Sequence, residues 1–271
     1  MKKILLLASS ILSLHCISQN DALRPMNAGE SEFYKNTKSK LEKIVLPVKN
    51  HFLTNHWLLV LDNSALNEES ELSILKSKPF DILPISFEFT ISLQMDEENP
   101  ELPSFIQETN KALEMAIQNP EHPEKALKNF NPRKNSINLR VMVNSQSPPT
   151  TSEGITYDFL NSFNPVAIDT SNKNYIALRS DKCANSTNYA DACPAMALMF
   201  GKWIFSVKKG EVQPGSGILQ YFTSATTAPV GNTNHCKVTS LAIEITADPA
   251  YRAQIMSKLD IGALKQLVNG M

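Results

Sequence analysis

Apolar and polar residues alternate strictly from Ile85 to Met95, with Ile85, Phe87, Phe89, Ile91, Leu93 and Met95 set against Ser86, Glu88, Thr90, Ser92 and Gln94. A period of two held this long predicts a β-strand with one face in a core and the other in water. The same pattern recurs where Ile137, Leu139, Val141 and Val143 alternate with Asn138, Arg140 and Asn144. It recurs again where Leu241, Ile243, Ile245 and Ala247 alternate with Ala242, Glu244 and Thr246. Trp57 to Leu61 is instead a continuous apolar run, short enough to be a buried strand. Shorter apolar runs at 166–168, 175–178, 195–207 and 218–222 supply further strand candidates.

Helical spacing appears in four places. Phe33, Leu41, Ile44 and Val45, with Thr37 filling the stripe, predict a helix over 31–45 that Pro47 should end, because proline disfavours helical geometry in the residue before it. A helix is expected from Ser104 to Gln118, opened by a Ser104/Gln107 capping box, stopped by Pro120, and turning Phe105, Ala112, Leu113, Ala116 and Ile117 inward. Pro123 can start a short helix to Phe130. Near the end, Asp248 and Pro249 read as N-cap and first residue of a helix whose face carries Tyr251, Ile255 and Leu259. Asp260 then caps a last helical stretch with Ile261, Leu264 and Val268, closed by Gly270.

Half-exposed strands argue against a doubly wound parallel sheet, whose strands are covered on both sides. The expected fold is α+β, a mainly antiparallel sheet with helices packed on one face. Residues 145–154, SQSPPTTSEG, lack an apolar face and read as a linker. They divide the chain into an N-terminal α+β half, 20–144, and a C-terminal half, 155–271. Both halves carry a long alternating strand, an acidic residue, a proline and then an amphipathic helix. That shared order also fits two similar halves.

The first residues change where this fold is expected to work. Lys2 and Lys3, then the apolar run Ile4 to Leu14, then smaller and more polar residues have the layout of a secretory signal peptide over 1–19. The apolar run is too short for a bilayer span of about 20 residues, and the mature chain offers no transmembrane helix. Cleavage after Ser18 or Gln19 removes Cys16. A lipid anchor at Cys16 is the competing reading, disfavoured because His15 stands where a small residue is wanted. The expected location is periplasmic or extracellular. Losing Lys2 and Lys3 takes the formal net charge from −1 to −3, a balance with no pull toward nucleic acid. With 42% hydrophobic and 20% charged residues, the composition is that of a globular protein rather than a disordered one.

Export permits disulfides. Cys183 and Cys193 enclose a short polar loop, and pairing them would stabilise the fold by about 2.5–3 kcal/mol. Cys236 is then the odd thiol, unpaired or the alternative partner of either. Reading Cys183, Cys193, His235 and Cys236, with Asp191, as a metal site fails on spacing: structural zinc takes ligand pairs two to four residues apart. His235 and Cys236 are also neighbours, which on a strand point to opposite faces. No metal and no cofactor is expected. Tyr189, Lys202, Trp203 and His235 are weak binding candidates, with Trp203 read first as a core residue.

Catalytic signatures are thin. The chain has no G-x-S-x-G elbow, H-E-x-x-H pair or phosphate-binding glycine loop. S-x-x-K at Ser73–Lys76 and Ser206–Lys209 lacks its companion motifs. Asp96, Glu97, Glu98 and Glu101 read as a solvated turn at a helix start, and Glu88 and Glu244 as solvent-facing carboxylates. The pattern points to a non-enzymatic module that binds an unknown protein or envelope component through its sheet face or cysteine loop. The alternative is an extracytoplasmic hydrolase with residues on scattered polar loops.

Overall fold

The computed structural model of the chain describes residues 23–63, 73–75, 85–122, 134–144, 156–157, 167–180, 195–201, 203–213, 217–227 and 236–269. Strand β1 (Leu23–Pro25) leads into helix α1 (Ala28–Leu53) and strand β2 (Trp57–Asp62). Then come β3 (Ser73–Leu75), β4 (Phe87–Met95), helix α2 (Leu102–Gln118) and β5 (Ser136–Val143). Beyond them lie β6 (Thr156–Tyr157), β7 (Ala167–Asp169), β8 (Ile176–Ser180), β9 (Ala195–Gly201), β10 (Trp203–Gln213), β11 (Gly217–Thr227) and β12 (Ser240–Thr246). Helices α3 (Pro249–Lys258) and α4 (Ile261–Asn269) follow.

Seven strands make one sheet in the order β2-β4-β5-β12-β9-β8-β7, and every pairing in it is antiparallel. The fold is α+β and mainly antiparallel, as the alternation predicts. Strand β11 pairs with β10 and β6 in a separate three-stranded sheet, and β1 pairs with β3. Both sides of residues 145–154 supply the main sheet, because β5 lies directly beside β12. Residues 145–154 and the expected helix after Pro123 lie outside the described residues.

Register explains the core. Phe89, Val141, Ile243 and Leu198 stand in one row across four strands, and each is essentially fully buried. They join Leu41, Val45, Val48 and Phe52 of α1, Tyr251 and Ile255 of α3 and Leu264 of α4 in one continuous cluster. Each such side chain withdrawn from water contributes about 1.5–3 kcal/mol. Phe52, Trp57 and Tyr251 meet edge-to-face, with centroids 5.0–6.2 Å apart, and so tie α1, β2 and α3 together.

Helix α1 starts before the expected position because Asn27 and Glu30 form a reciprocal capping box. It also runs through Pro47 to Leu53, against the expected stop. Pro47 and Lys43, whose carbonyl it leaves without its helical donor, are both exposed residues on the side of the helix away from the core. Val48 and Phe52, both buried in the core, hold the continuing turns in place. The two last helices start where the sequence places them. Asp248 accepts from the Ala250 N–H at 3.0 Å and Asp260 from the Ala263 N–H at 2.9 Å.

Other expectations are corrected. Strand β2 forms from Trp57 to Asp62, but only Trp57 is buried: the strand lies at the sheet edge, and Leu58 to Leu61 are all exposed. Helix α2 begins at Leu102 with no side-chain cap, so the Ser104 capping box does not form. It buries Phe105 and Ala112 while Leu113 and Ile117 face solvent, Ile117 at 78% exposure. Asn144, read as water-facing, is completely buried. It closes β5 in the left-handed region, at φ 48°. Its Nδ2 donates to the carbonyls of Ile85 (2.9 Å) and Lys237 (2.8 Å). Its Oδ1 accepts from the Thr239 N–H (2.8 Å) and hydroxyl (3.0 Å) and the Ser240 N–H (3.1 Å). One side chain thus joins the approach to β4, the end of β5 and the start of β12.

Candidate functional site

The sheet surface opposite the core cluster is built by the polar half of the alternation. Residues directly across from each other share a face. Thr90, Arg140 and Glu244 therefore form one row, Ser92, Asn138 and Thr246 the next, and Gln94 with Ser136 a third. Gln94 is exposed, and Thr90, Ser92, Ser136, Asn138, Arg140 and Thr246 are half-buried. This polar platform covers β4, β5 and one end of β12. Farther across the same face the character changes, and Met142, Ala242, Ala197, Met199 and Leu178 are buried.

Arg140 stands at the boundary. Its guanidinium donates to Glu88 Oε2 at 2.6 Å and lies 3.8 Å from Glu244 Oε2. The carboxylates of Glu88 and Glu244, one on each of two long strands, are thus joined by a cation between them. Glu88 is exposed as expected, but Glu244 is not: it is 5% exposed, since its strand position falls beside the buried part of the face. An arginine bridging two carboxylates is a charged cluster held together by ion pairing. It differs in kind from the proton-sharing or acid/nucleophile pairs that hydrolyse glycosides.

Other ionisable groups singled out by their surroundings are Cys236, Tyr251 and His56. Cys236 is half-buried, and burial together with the nearby Glu30 carboxylate pushes its thiol above the ordinary range. A nucleophilic cysteine needs the opposite surroundings, a cation or helix N-terminus that favours thiolate. Tyr251 donates to Glu101 Oε2 at 2.6 Å. Burial, that hydrogen bond and the negative charges of Glu101 and Asp248 hold its phenol proton well beyond the usual tyrosine range. His56, in the left-handed region at φ 59°, lies 3.3 Å from Glu98 on the surface. Among the described residues, no group of three or more His, Cys, Asp or Glu side chains is arranged to hold a metal ion, and no helix is long and apolar enough to cross a membrane.

Of the residues singled out in the sequence, Trp203 is half-buried and its indole N–H donates to the Phe200 carbonyl at 2.9 Å, which turns the ring back onto β9. Cys183, Cys193, Tyr189, Lys202 and His235 lie outside the described residues, as do Cys16 and the expected signal segment.

The chain matches no protein-family model, no curated protein and no solved structure. The site is therefore judged on its chemistry alone. The platform offers hydroxyl, amide, guanidinium and carboxylate groups fixed on three adjacent strands. Groups held on a rigid sheet can receive a hydrogen-bonding surface at little entropic cost. Arg140 is the residue that sequence reasoning missed. In the sequence it is only a polar position in an alternating strand, and the register that sets it between two carboxylates comes from strands distant in the chain.

Proposed function

We propose that this protein is an exported, non-enzymatic binding module that receives a protein or envelope component on the polar face of β4, β5 and β12. The observation that supports the reading is the half-exposed platform centred on Arg140, where three strands present hydrogen-bonding side chains in register. A partner rich in hydrogen-bonding groups fits it, and the buried apolar stretch alongside holds the platform rigid.

The test uses the full chain expressed in its native cells, with a photo-crosslinking amino acid at Gln94 on the platform or at Lys40 on the exposed side of α1. Discrete adducts from Gln94 and none from Lys40 are expected, and Gln94 adducts should weaken in an Arg140→Glu background. The same background at both positions refutes the binding face. Fractionation and mass measurement test export separately. A processed chain lacking 18 or 19 residues outside the cytoplasm is expected, and an intact chain kept in the cytoplasm refutes it.

A further inference from the structure

Six of the ten exposed large apolar side chains among the described residues gather at one edge of the main sheet: Leu58, Leu59, Val60 and Leu61 of β2, and Leu46 and Leu53 of α1. Placement on α1 follows from its other contacts. Lys49 reaches Asp62 of β2, and at about 100° per residue Leu46 and Leu53 lie within roughly 60° of Lys49, on the side away from the core stripe. By register Leu59 shares the α1 side of the sheet with Leu93, whereas Leu58 and Leu61 stand across from Gln94 and Ser92 on the other side, so the edge is apolar on both faces and Leu46 and Leu53 extend it on the helix side. Edge strands are normally protected by charge, and positions 58–61 carry none.

We infer that this edge is a two-fold interface between two copies of the chain. The stretch is self-complementary. Two antiparallel β2 strands about an axis between Leu59 and Val60 set Leu58 against Leu61 and Leu59 against Val60 of the second copy. Asp62 then faces Trp57, so no like charges oppose. The same axis serves the helix. The midpoint of Leu46 and Leu53 lies about 5 Å back from the end of α1, at ~1.5 Å per residue. The midpoint of Leu58 and Leu61 lies about 8 Å into β2, at ~3.3 Å per residue. One axis therefore passes near both, and Leu46 can meet Leu53 of the partner copy.

The six side chains are between 36% and 62% exposed. Summed over the two faces of the edge they offer on the order of 500 Å² of apolar surface, the larger part of the ~800 Å² per partner of a stable interface. Val60 is the extra residue at a register shift between Leu59 and Leu61, so it is unmatched on β4. That bulge interrupts the outer ladder, which makes side-chain packing the main contact and discourages extended edge-to-edge growth. A two-fold contact also closes on itself and stops at two copies.

Sedimentation and light scattering on the mature chain test this. The expected mass is twice that of one chain at roughly 50 µM. Val60→Lys and, separately, Leu46→Lys should weaken association by about two orders of magnitude. The circular dichroism spectrum should stay unchanged, since both sites are exposed. Ile117→Lys, at an exposed apolar site on α2, should leave the dimer intact. A wild-type chain that is monomeric at this concentration overturns the inference, and so does a dimer that survives both edge substitutions.

Discussion

Replacing Asn144 with alanine removes the five side-chain hydrogen bonds that join the approach to β4, the end of β5 and the start of β12. The site is fully buried, so water does not take over the lost partners. A buried polar group stripped of its partner costs about 1–3 kcal/mol, and alanine at φ 48° adds about 1–2 kcal/mol of backbone strain. The groups share one network, so the terms do not add fully, and the expected loss is about 3–5 kcal/mol. Urea unfolding followed by circular dichroism reads this as a lower midpoint at an unchanged slope. Asn144→Gly should recover about 1 kcal/mol relative to alanine, because glycine accepts the left-handed backbone without strain. Asn144→Asp keeps the acceptor but sets a carboxylate against the carbonyls of Ile85 and Lys237. Its deficit relative to wild type should therefore shrink as the pH falls and the new carboxyl gains a proton to donate. A loss below about 1 kcal/mol for alanine would show that the network does not bind the strands.

Two further outcomes follow from single positions. Gly201 has φ 106°, and a Cβ there would stand 2.5 Å from the Thr239 carbonyl oxygen, so Gly201→Ala should cost about 2–4 kcal/mol in the same urea experiment. Wild-type stability in that variant would contradict the tight approach of β9 to the segment before β12. Tyr251 has a folded-state pKa above the unfolded value of about 10, so its contribution is complete below that pH and is lost as the pH rises through and beyond it. Tyr251→Phe should flatten the alkaline fall in unfolding free energy; an unchanged slope would assign that fall to other groups.

Alternation made the strands at 85–95, 137–143 and 241–247 legible because a period of two reports directly that one side is buried. It does not report where a strand sits in its sheet. Leu58 to Leu61 read as buried because a continuous apolar run suits a central strand, yet β2 is an edge. Glu244 read as exposed because its inward neighbours are apolar, yet the far part of the sheet is buried on both faces. Leu113 and Ile117 fail for a related reason: an amphipathic stripe shows that a helix has an apolar side, not that a neighbour covers it. Asp248 and Asp260 were readable because capping is decided within three residues. Arg140 and Asn144 were not, since their partners lie some 50 to 100 residues away.

Strand β12 is the last strand of the main sheet in the chain, yet it occupies the middle, between β5 and β9. Until residues 240–246 arrive, β5 and β9 each present an open row of backbone donors and acceptors, and the sheet exists only as two pieces. Completion therefore waits on residues 240–246, through contacts spanning roughly a hundred residues on the β5 side. A chain that stops short of β12 would not be a slightly smaller version of this protein but two unsealed edges prone to pairing with the wrong strand.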